Sequence, residues 1–346
     1  MDTTSIKEVA RHAGVSLGTV SNVLNRPEVV AEHTRKRVLD AITELGYVRN
    51  DSARQLRAGR SRTVAIVVLD VANPFFTDVV RGAEEAIEAA GAVAVVCNSG
   101  QDVARERRHL DLLEQQRVQG VLITPVDGGR DSQLARLVSR GIPVVLVDRG
   151  SGLRDRCSVA VDDVLGGRIA AEHFREQGHE RVAFVGGPLA IPQVADRKKG
   201  FTAVLRDRVD VRTVLTPTLS VAAGRQAGAQ IAELAPAERP TAVFCANDLL
   251  ALGVLQEMTQ RRIRVPQDVA ILGYDDIDFA AAAAVPLSSV RQPREQLGRA
   301  AAELLLEEAN RPDRHEHRHV VFEPDLVVRE STAKPRSGRG SRGRQG

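Results

Sequence analysis

Val15 to Asn25 reads VSLGTVSNVLN, and upstream of it Ser5 to Ala13 reads SIKEVARHA. In the upstream run Ile6, Val9, Ala10 and Ala13 fall at helical spacing. Ser5 and Glu8 have the spacing of a capping box, in which each side chain satisfies a backbone amide that the helix start leaves unpaired. Gly14 and Val15 break that period. Ser16 can cap a second short helix, whose Val20, Val23 and Leu24 point back at the first. Two short helices joined by a three- or four-residue turn with Gly are the pattern of a DNA-reading helix-turn-helix. A third helix, Glu32 to Leu45, offers Val38, Leu39, Ile42 and Leu45 to close a small three-helix core.

The whole chain has 346 residues, 43% of them hydrophobic, and a net charge of +3. That length allows two or three domains. Charge is unevenly spread: residues 1–62 hold 11 Lys and Arg against 7 Asp and Glu, and Ala333 to Gly346 adds five bases and no acid. The middle of the chain is therefore acidic. A cationic head on an acidic body suits contact between the head and phosphates. Cys97, Cys157 and Cys245 are far apart, with no CxxC and no His at metal-ligand spacing, which reads as reduced thiols of a cytoplasmic protein with no metal and no cofactor. There is no apolar run of membrane length and no signal peptide.

From Thr63 the pattern changes. Short aliphatic runs read as buried parallel strands at Val64–Leu69, Val93–Cys97, Gly120–Thr124, Val144–Val147, Ser158–Val161, Val182–Val185, Ala242–Cys245 and Val269–Leu272. Helical stretches alternate with them, as at Phe75–Ala90, Asp163–Gln177, Gln193–Arg206 and Leu249–Arg261. Such alternation builds doubly wound sheets, and two sets, with Ser288–Gln292 and Val320–Val328 still to place, suggest two similar lobes. Lys334 to Gly346 (KPRSGRGSRGRQG) has nothing to bury and reads as a disordered basic tail.

Ile6-Lys7-Glu8-Val9-Ala10, Ala13-Gly14-Val15-Ser16, Thr19-Val20-Ser21, Val23-Leu24-Asn25, Leu45-Gly46-Tyr47 and Asn50 together resemble the lactose/galactose repressor (LacI/GalR) family. The resemblance implies an all-α helix-turn-helix domain over 1–49 and a hinge helix and linker over 50–62. An α/β core like the type I periplasmic binding proteins follows over 63–332, with lobes at about 63–162 with 291–322 and 163–290 with 323–332. It also implies a cytoplasmic, nucleoid-associated homodimer on a palindromic double-stranded DNA operator, controlled by a small effector. The tail carries no leucine heptad of the kind that joins some relatives into tetramers.

In the family, the places of Leu17, Gly18 and Asn22 make the sequence-reading contacts. Leu17 can touch a thymine methyl, Asn22 can bond an adenine edge, and Gly18 has no side chain to read with. Many relatives carry Arg at the place of Asn22, so a borrowed operator sequence does not transfer. Ser16, Thr19, Ser21 and Asn25 fit phosphate positioning. Ala31 stands where the cap of the third helix is usually Ser or Thr, a loss of about 1 kcal/mol. Asn50, Ala53 and Leu56 match hinge positions, and in the family a leucine there wedges into the minor groove.

In doubly wound sheets ligands bind beyond the carboxyl ends of the strands. The residues there form a polar set: Asp70 with Asn73, Asn98, Asp148 with Arg149, Asp162, Asn247 with Asp248, and Asp275 with Asp276. Arg197 opens a later helix. The resemblance selects Asn73, Phe75, Phe76, Asp148, Arg197, Asn247 and Asp275 as effector contacts. Carboxylates and amides with one Arg suit a monosaccharide, whose ring hydroxyls need both donors and acceptors, and the two phenyl rings can cover its apolar face. A nucleobase co-repressor is the alternative ligand. Rival roles stand beside these: Asn73 can cap the helix that begins at Pro74, Asp248 and Asp276 can cap turns, and Phe75 can be core. An enzyme is disfavoured, because there is no Walker loop, no GxSxG and no histidine cluster; a sugar-binding transport protein would need a signal peptide and no basic head.

Leu56→Ala is expected to weaken operator binding strongly and leave small-molecule binding unchanged. Equal losses in a DNA gel-shift and in ligand titration would make Leu56 a structural residue instead.

Overall fold

The structure, a computed structural model, describes residues 4–47, 61–126, 132–150, 155–205 and 209–333. The chain divides into two compact units, residues 1–60 and 61–346.

The first unit holds α1 (Ile6–His12), α2 (Leu17–Asn25) and α3 (Glu32–Glu44). Both halves of the capping box form: the Glu8 amide donates to Ser5 Oγ and the Ser5 amide to Glu8 Oε2. Gly14 sits at φ +61°, the left-handed conformation that ends α1 cheaply only in glycine. Ser16 caps α2 by accepting from the Thr19 amide at 3.1 Å. Val9, Ala10, Ala13, Val20, Val23, Val38 and Ala41 form the core. Leu39 does not join it; it is 47% exposed, and Ala41 faces inward instead. Alanine fits there because three short helices cross closely. Ala31 provides no side-chain cap to α3.

The second unit contains two six-stranded sheets. The first orders β11 (His319–Phe322), β5 (Cys157–Val161), β4 (Val144–Val147), β3 (Gly120–Ile123), β1 (Thr63–Val68) and β2 (Val93–Asn98), all parallel. The second orders β12 (Asp325–Val327), β10 (Ser288–Arg291), β9 (Ala270–Asp275), β8 (Ala242–Cys245), β6 (Arg181–Gly186) and β7 (Asp210–Leu215), with only β12 antiparallel. The chain passes between sheets after β5, after β10 and after β11. Helices cover them in chain order: α4 (Pro74–Ala89), α5 (Val103–Gln115), α6 (Ser132–Ser139), α7 (Asp163–Glu176), α8 (Pro192–Leu205), α9 (Val221–Ala232), α10 (Asp248–Gln260), α11 (Asp278–Ala281) and α12 (Arg294–Asn310). No helix among the described residues is long and apolar enough to cross a membrane.

Two readings of the strands need correction. The run from Val93 is an edge strand, not a buried one; Val93, Val95 and Val96 are 63%, 42% and 44% exposed. An edge strand has a partner on one side only, so an aliphatic run does not guarantee burial. Strand β7 goes unnoticed in the sequence because DVRTVL, an edge strand, has neither an aliphatic run nor a clean polar–apolar alternation. Cys157 has no His at metal-ligand spacing in the sequence, yet the fold sets its Sγ 3.1 Å from His315 Nε2 across 158 residues.

Three helix pairs pack on reciprocal glycines. A Cβ on Gly82 would lie 2.0 Å from the Glu295 carbonyl oxygen, and one on Gly298 would lie 1.9 Å from that of Val79. Gly167 and Gly200 do the same for α7 and α8, and Gly224 and Gly253 for α9 and α10. Gly298→Ala should cost the first lobe about 1–3 kcal/mol through overpacking. Urea denaturation measures this, and an unchanged midpoint would show that α12 moves aside freely.

Candidate functional site

In the first unit, the start of α2 presents Leu17 (42% exposed), Gly18 and Asn22 to solvent. Ser16 Oγ also hydrogen-bonds Thr19 Oγ1 at 2.9 Å, and Asn25 Nδ2 donates to the Ser21 carbonyl at 2.8 Å and to its Oγ at 3.2 Å. These four polar side chains thus shape the helix ends as well as facing outward. Lys7, Arg11, Lys36 and Arg37 are exposed on the same unit. Asn50, Ala53 and Leu56 lie outside the described residues.

In the second unit, Asn73, Phe75, Phe76, Asp148, Arg197, Asn247 and Asp275 all line one cleft that is open at its mouth. Strand ends of both sheets converge there, which is why residues so far apart in sequence meet. Asn73 accepts from the Phe75 amide at 3.1 Å and Asn247 from the Leu250 amide at 3.0 Å, so both cap helices while bordering the cleft. Phe75 and Phe76 pack edge to face, with ring centroids 5.0 Å apart.

Arg197 is buried at the floor. Its Nε donates to Asp163 Oδ1 at 2.7 Å, its Nη1 donates to the Ala246 carbonyl at 2.7 Å, and its Cζ lies 3.7 Å from the Tyr274 ring centroid. Asp275 Oδ1 is 3.8 Å from Nη1 and accepts from Gln292 Nε2 at 2.7 Å. Burial alone would lower the pKa of Arg197, but Asp163, Tyr274, Asp275 and Asp148 more than offset it and the guanidinium stays charged. Burial pushes the Asp275 carboxyl up to about 6 against the opposing pull of Arg197. Asp148 goes well above the carboxylate range, first through burial and then through the charge of Asp163.

Gln193 Nε2 donates to the Asp148 carbonyl at 2.5 Å and to its Oδ2 at 3.1 Å. Asp148 Oδ1 and Gln292 Oε1 are buried without a hydrogen-bond partner among the described residues. Such atoms cost roughly 1–3 kcal/mol each, which a ligand donor can recover. Gln193, Gln292, Gln101, Asp70 and the apolar Leu69, Ile191, Val194 and Leu219 complete the lining. Gln292 was within reach of the strand-end rule, since it directly follows β10. Gln101 and Gln193 lie in loop and helix starts and carry no comparable signal.

Asp248 and Asp276 do not line this cleft. Asp248 accepts from Ser289 Oγ at 2.7 Å and from the Ile277 amide at 2.9 Å, while Asp276 pairs with Arg291 and Arg329 at 2.8 and 2.7 Å. Both tie strand ends of the second lobe together.

A helix-turn-helix unit followed by a two-lobed core with a polar interlobe cleft defines a DNA-binding transcriptional regulator of the ligand-responsive type. The chain belongs to the lacI family of bacterial regulatory proteins. That family matches over residues 5–50, and a periplasmic binding protein-like domain matches over 171–332. The HTH-type transcriptional repressor PurR of Photobacterium profundum is 34% identical over 94% of this chain and 98% of its own length. A LacI family regulator from Enterococcus faecalis V583, solved with bound ribose, is 32% identical over 78% of this chain and 98% of that one, with TM-score 0.72. The lac repressor dimer bound to operator and the anti-inducer ONPF is 26% identical over 96% and 100%, with TM-score 0.81. The characterised relatives are regulators of transcription, not enzymes.

The raised Asp275 pKa makes a signed prediction. Its folded value of about 6 exceeds the unfolded value of roughly 3.9, so wild type loses stability as pH rises through that window. Asp275→Asn cannot titrate. Relative to wild type it should therefore gain about 2–3 kcal/mol between about pH 4 and pH 7. Denaturant melts across that range test this; a pH-independent offset would mean that Asp275 titrates normally.

Proposed function

We propose that the protein is a dimeric repressor that binds a palindromic operator in the cytoplasm and is released by a monosaccharide. The observation that carries the ligand reading is the pair of buried oxygens with no hydrogen-bond partner among the described residues, Asp148 Oδ1 and Gln292 Oε1, in a cleft that also holds Asp275, Asn73 and Asn247. A sugar ring offers hydroxyl donors in several directions at once, and Phe75 and Phe76 offer an apolar wall. The ribose-bound relative supports the same ligand class.

The operator reading rests on the exposed Leu17 and Asn22 at the start of α2, the part of a recognition helix that meets base edges. The dimer reading rests on β2, whose exposed Val93, Val95 and Val96 form an aliphatic edge that a single chain leaves uncovered. The dimeric lac repressor on its operator supports both. A nucleobase co-repressor is the second reading. Base amino groups would also satisfy the two open acceptors, and either phenyl ring could stack on a base.

Thermal shift against pentoses, hexoses, deoxy-sugars and purines separates the two. A sugar at a hundredfold excess over its Kd should stabilise the core by about 2.7 kcal/mol, and the same sugar should release operator DNA in a gel-shift. A shift with purines alone, accompanied by tighter operator binding, would reverse the choice.

A further inference from the structure

Away from the cleft, Cys157, Glu308, His315 and His317 bring one sulfur, one carboxylate oxygen and two imidazole nitrogens within 4.8 Å of one another. Cys157 opens β5, Glu308 lies in the last turn of α12, and the two histidines stand in the connection from α12 to β11. This is the amino end of the first sheet, the end at which Thr63 begins β1. The cleft lies at the opposite, carboxyl end. His315 and His317 are two apart in extended chain, so their side chains share a face.

We propose that these four side chains form a binding site for a zinc-class divalent ion, with Cys157 Sγ, Glu308 Oε2, His315 Nε2 and His317 Nδ1 as ligands. The Sγ lies 3.1 Å from His315 Nε2 and 3.9 Å from His317 Nδ1; Glu308 Oε2 lies 3.9 Å from each nitrogen. Tetrahedral zinc with ordinary bond lengths sets ligand atoms roughly 3.3–3.6 Å apart, so each of these contacts is within about half an ångström of the required edge. One thiolate and one carboxylate neutralise a dication.

The surroundings match. Glu308 Oε2 is buried with no hydrogen-bond partner among the described residues, the arrangement expected of an oxygen that needs a cation. The Arg318 amide donates to Cys157 Sγ at 3.3 Å, which favours a thiolate. The other nitrogen of His315, Nδ1, is buried without a hydrogen bond among the described residues and lies 3.7 Å from Glu307 Oε1, near enough for that carboxylate to take up the outer position beside a metal-bound imidazole. The nearby cations are already paired: Arg156 with Asp155, and Arg318 with Glu307. The ion would fasten the far end of α12, whose near end carries Arg294, a donor to the Asp275 carbonyl.

Cobalt(II) titration of the chelator-stripped full chain tests this. The expected result is one ion per chain with intense tetrahedral visible bands and a thiolate-to-cobalt charge-transfer band, all displaced by zinc. Cys157→Ser should abolish the charge-transfer band, and His317→Ala, at a partly exposed position, should weaken binding at least about tenfold. Cys97→Ser should change nothing. A weak octahedral spectrum from the folded wild-type protein, or a charge-transfer band that survives Cys157→Ser, would overturn the proposal.

Discussion

The floor of the cleft is governed by one buried guanidinium among three carboxylates. Arg197 bonds Asp163 directly and faces Asp275, with Asp148 close enough to contribute to its charge balance. Removing one partner from a buried ion pair is costly, about 3–5 kcal/mol, because the remaining charge has no solvent to turn to. One cation cannot neutralise three acids. The excess is held by amide donors from Gln193 and Gln292 and by the upward shift of Asp148 and Asp275 toward their protonated forms. The site thus keeps unsatisfied polar capacity, donating where a carboxyl is protonated and accepting where it is not, and a ligand whose hydroxyls both donate and accept complements that better than an anion would.

Arg197 is held in place by backbone packing one helix away. Its own carbonyl oxygen would be 2.0 Å from a Cβ on Gly167, so α7 and α8 cross at a distance only glycine allows. Asp163 opens α7 and Arg197 lies on α8, so the close crossing sets the length of their bond. The same device joins α9 to α10, and α4 to α12. In the last pair it links the helix carrying Phe75 and Phe76 to the helix that follows Gln292. Glycine placement in helices is therefore part of the site, although no glycine among the described residues lines the cleft.

This explains what could be read in advance. The strand–helix rhythm and the polar residue after each strand end are local features; they gave a wider polar set, from which the family resemblance selected Asn73, Asp148, Asn247 and Asp275, and these four line one cleft. Burial was less legible. Val93 to Val96 looks like a core strand but lies at an edge, and Leu39 occupies an apolar helical position without a partner to cover it. Sequence records what a residue prefers, while the sheet order decides what stands next to it. Cys157 makes the point most sharply. No spacing rule connects it to His315 and His317, because the contact depends on β11 returning to pair with β5 after the chain has built the whole second lobe.

A regulator of this design can respond to a ligand only through a difference in affinity between two lobe arrangements. The lining residues come from both sheets: Asn73 and Asp148 follow strands of the first, whereas Asn247 and Asp275 belong to the second. A molecule that donates to Asp148 Oδ1 and also engages Asp275 or Asn247 gains its full set of bonds only when both lobes reach it. With the lobes apart, one side of that set returns to water and roughly 0.5–1.5 kcal/mol per bond is lost. Two or three such bonds separate the arrangements by the few kcal/mol that allosteric couplings commonly show. Whether closure releases or secures DNA depends on which arrangement the head favours, so ligand identity and the sign of the response are physically separate properties of the chain.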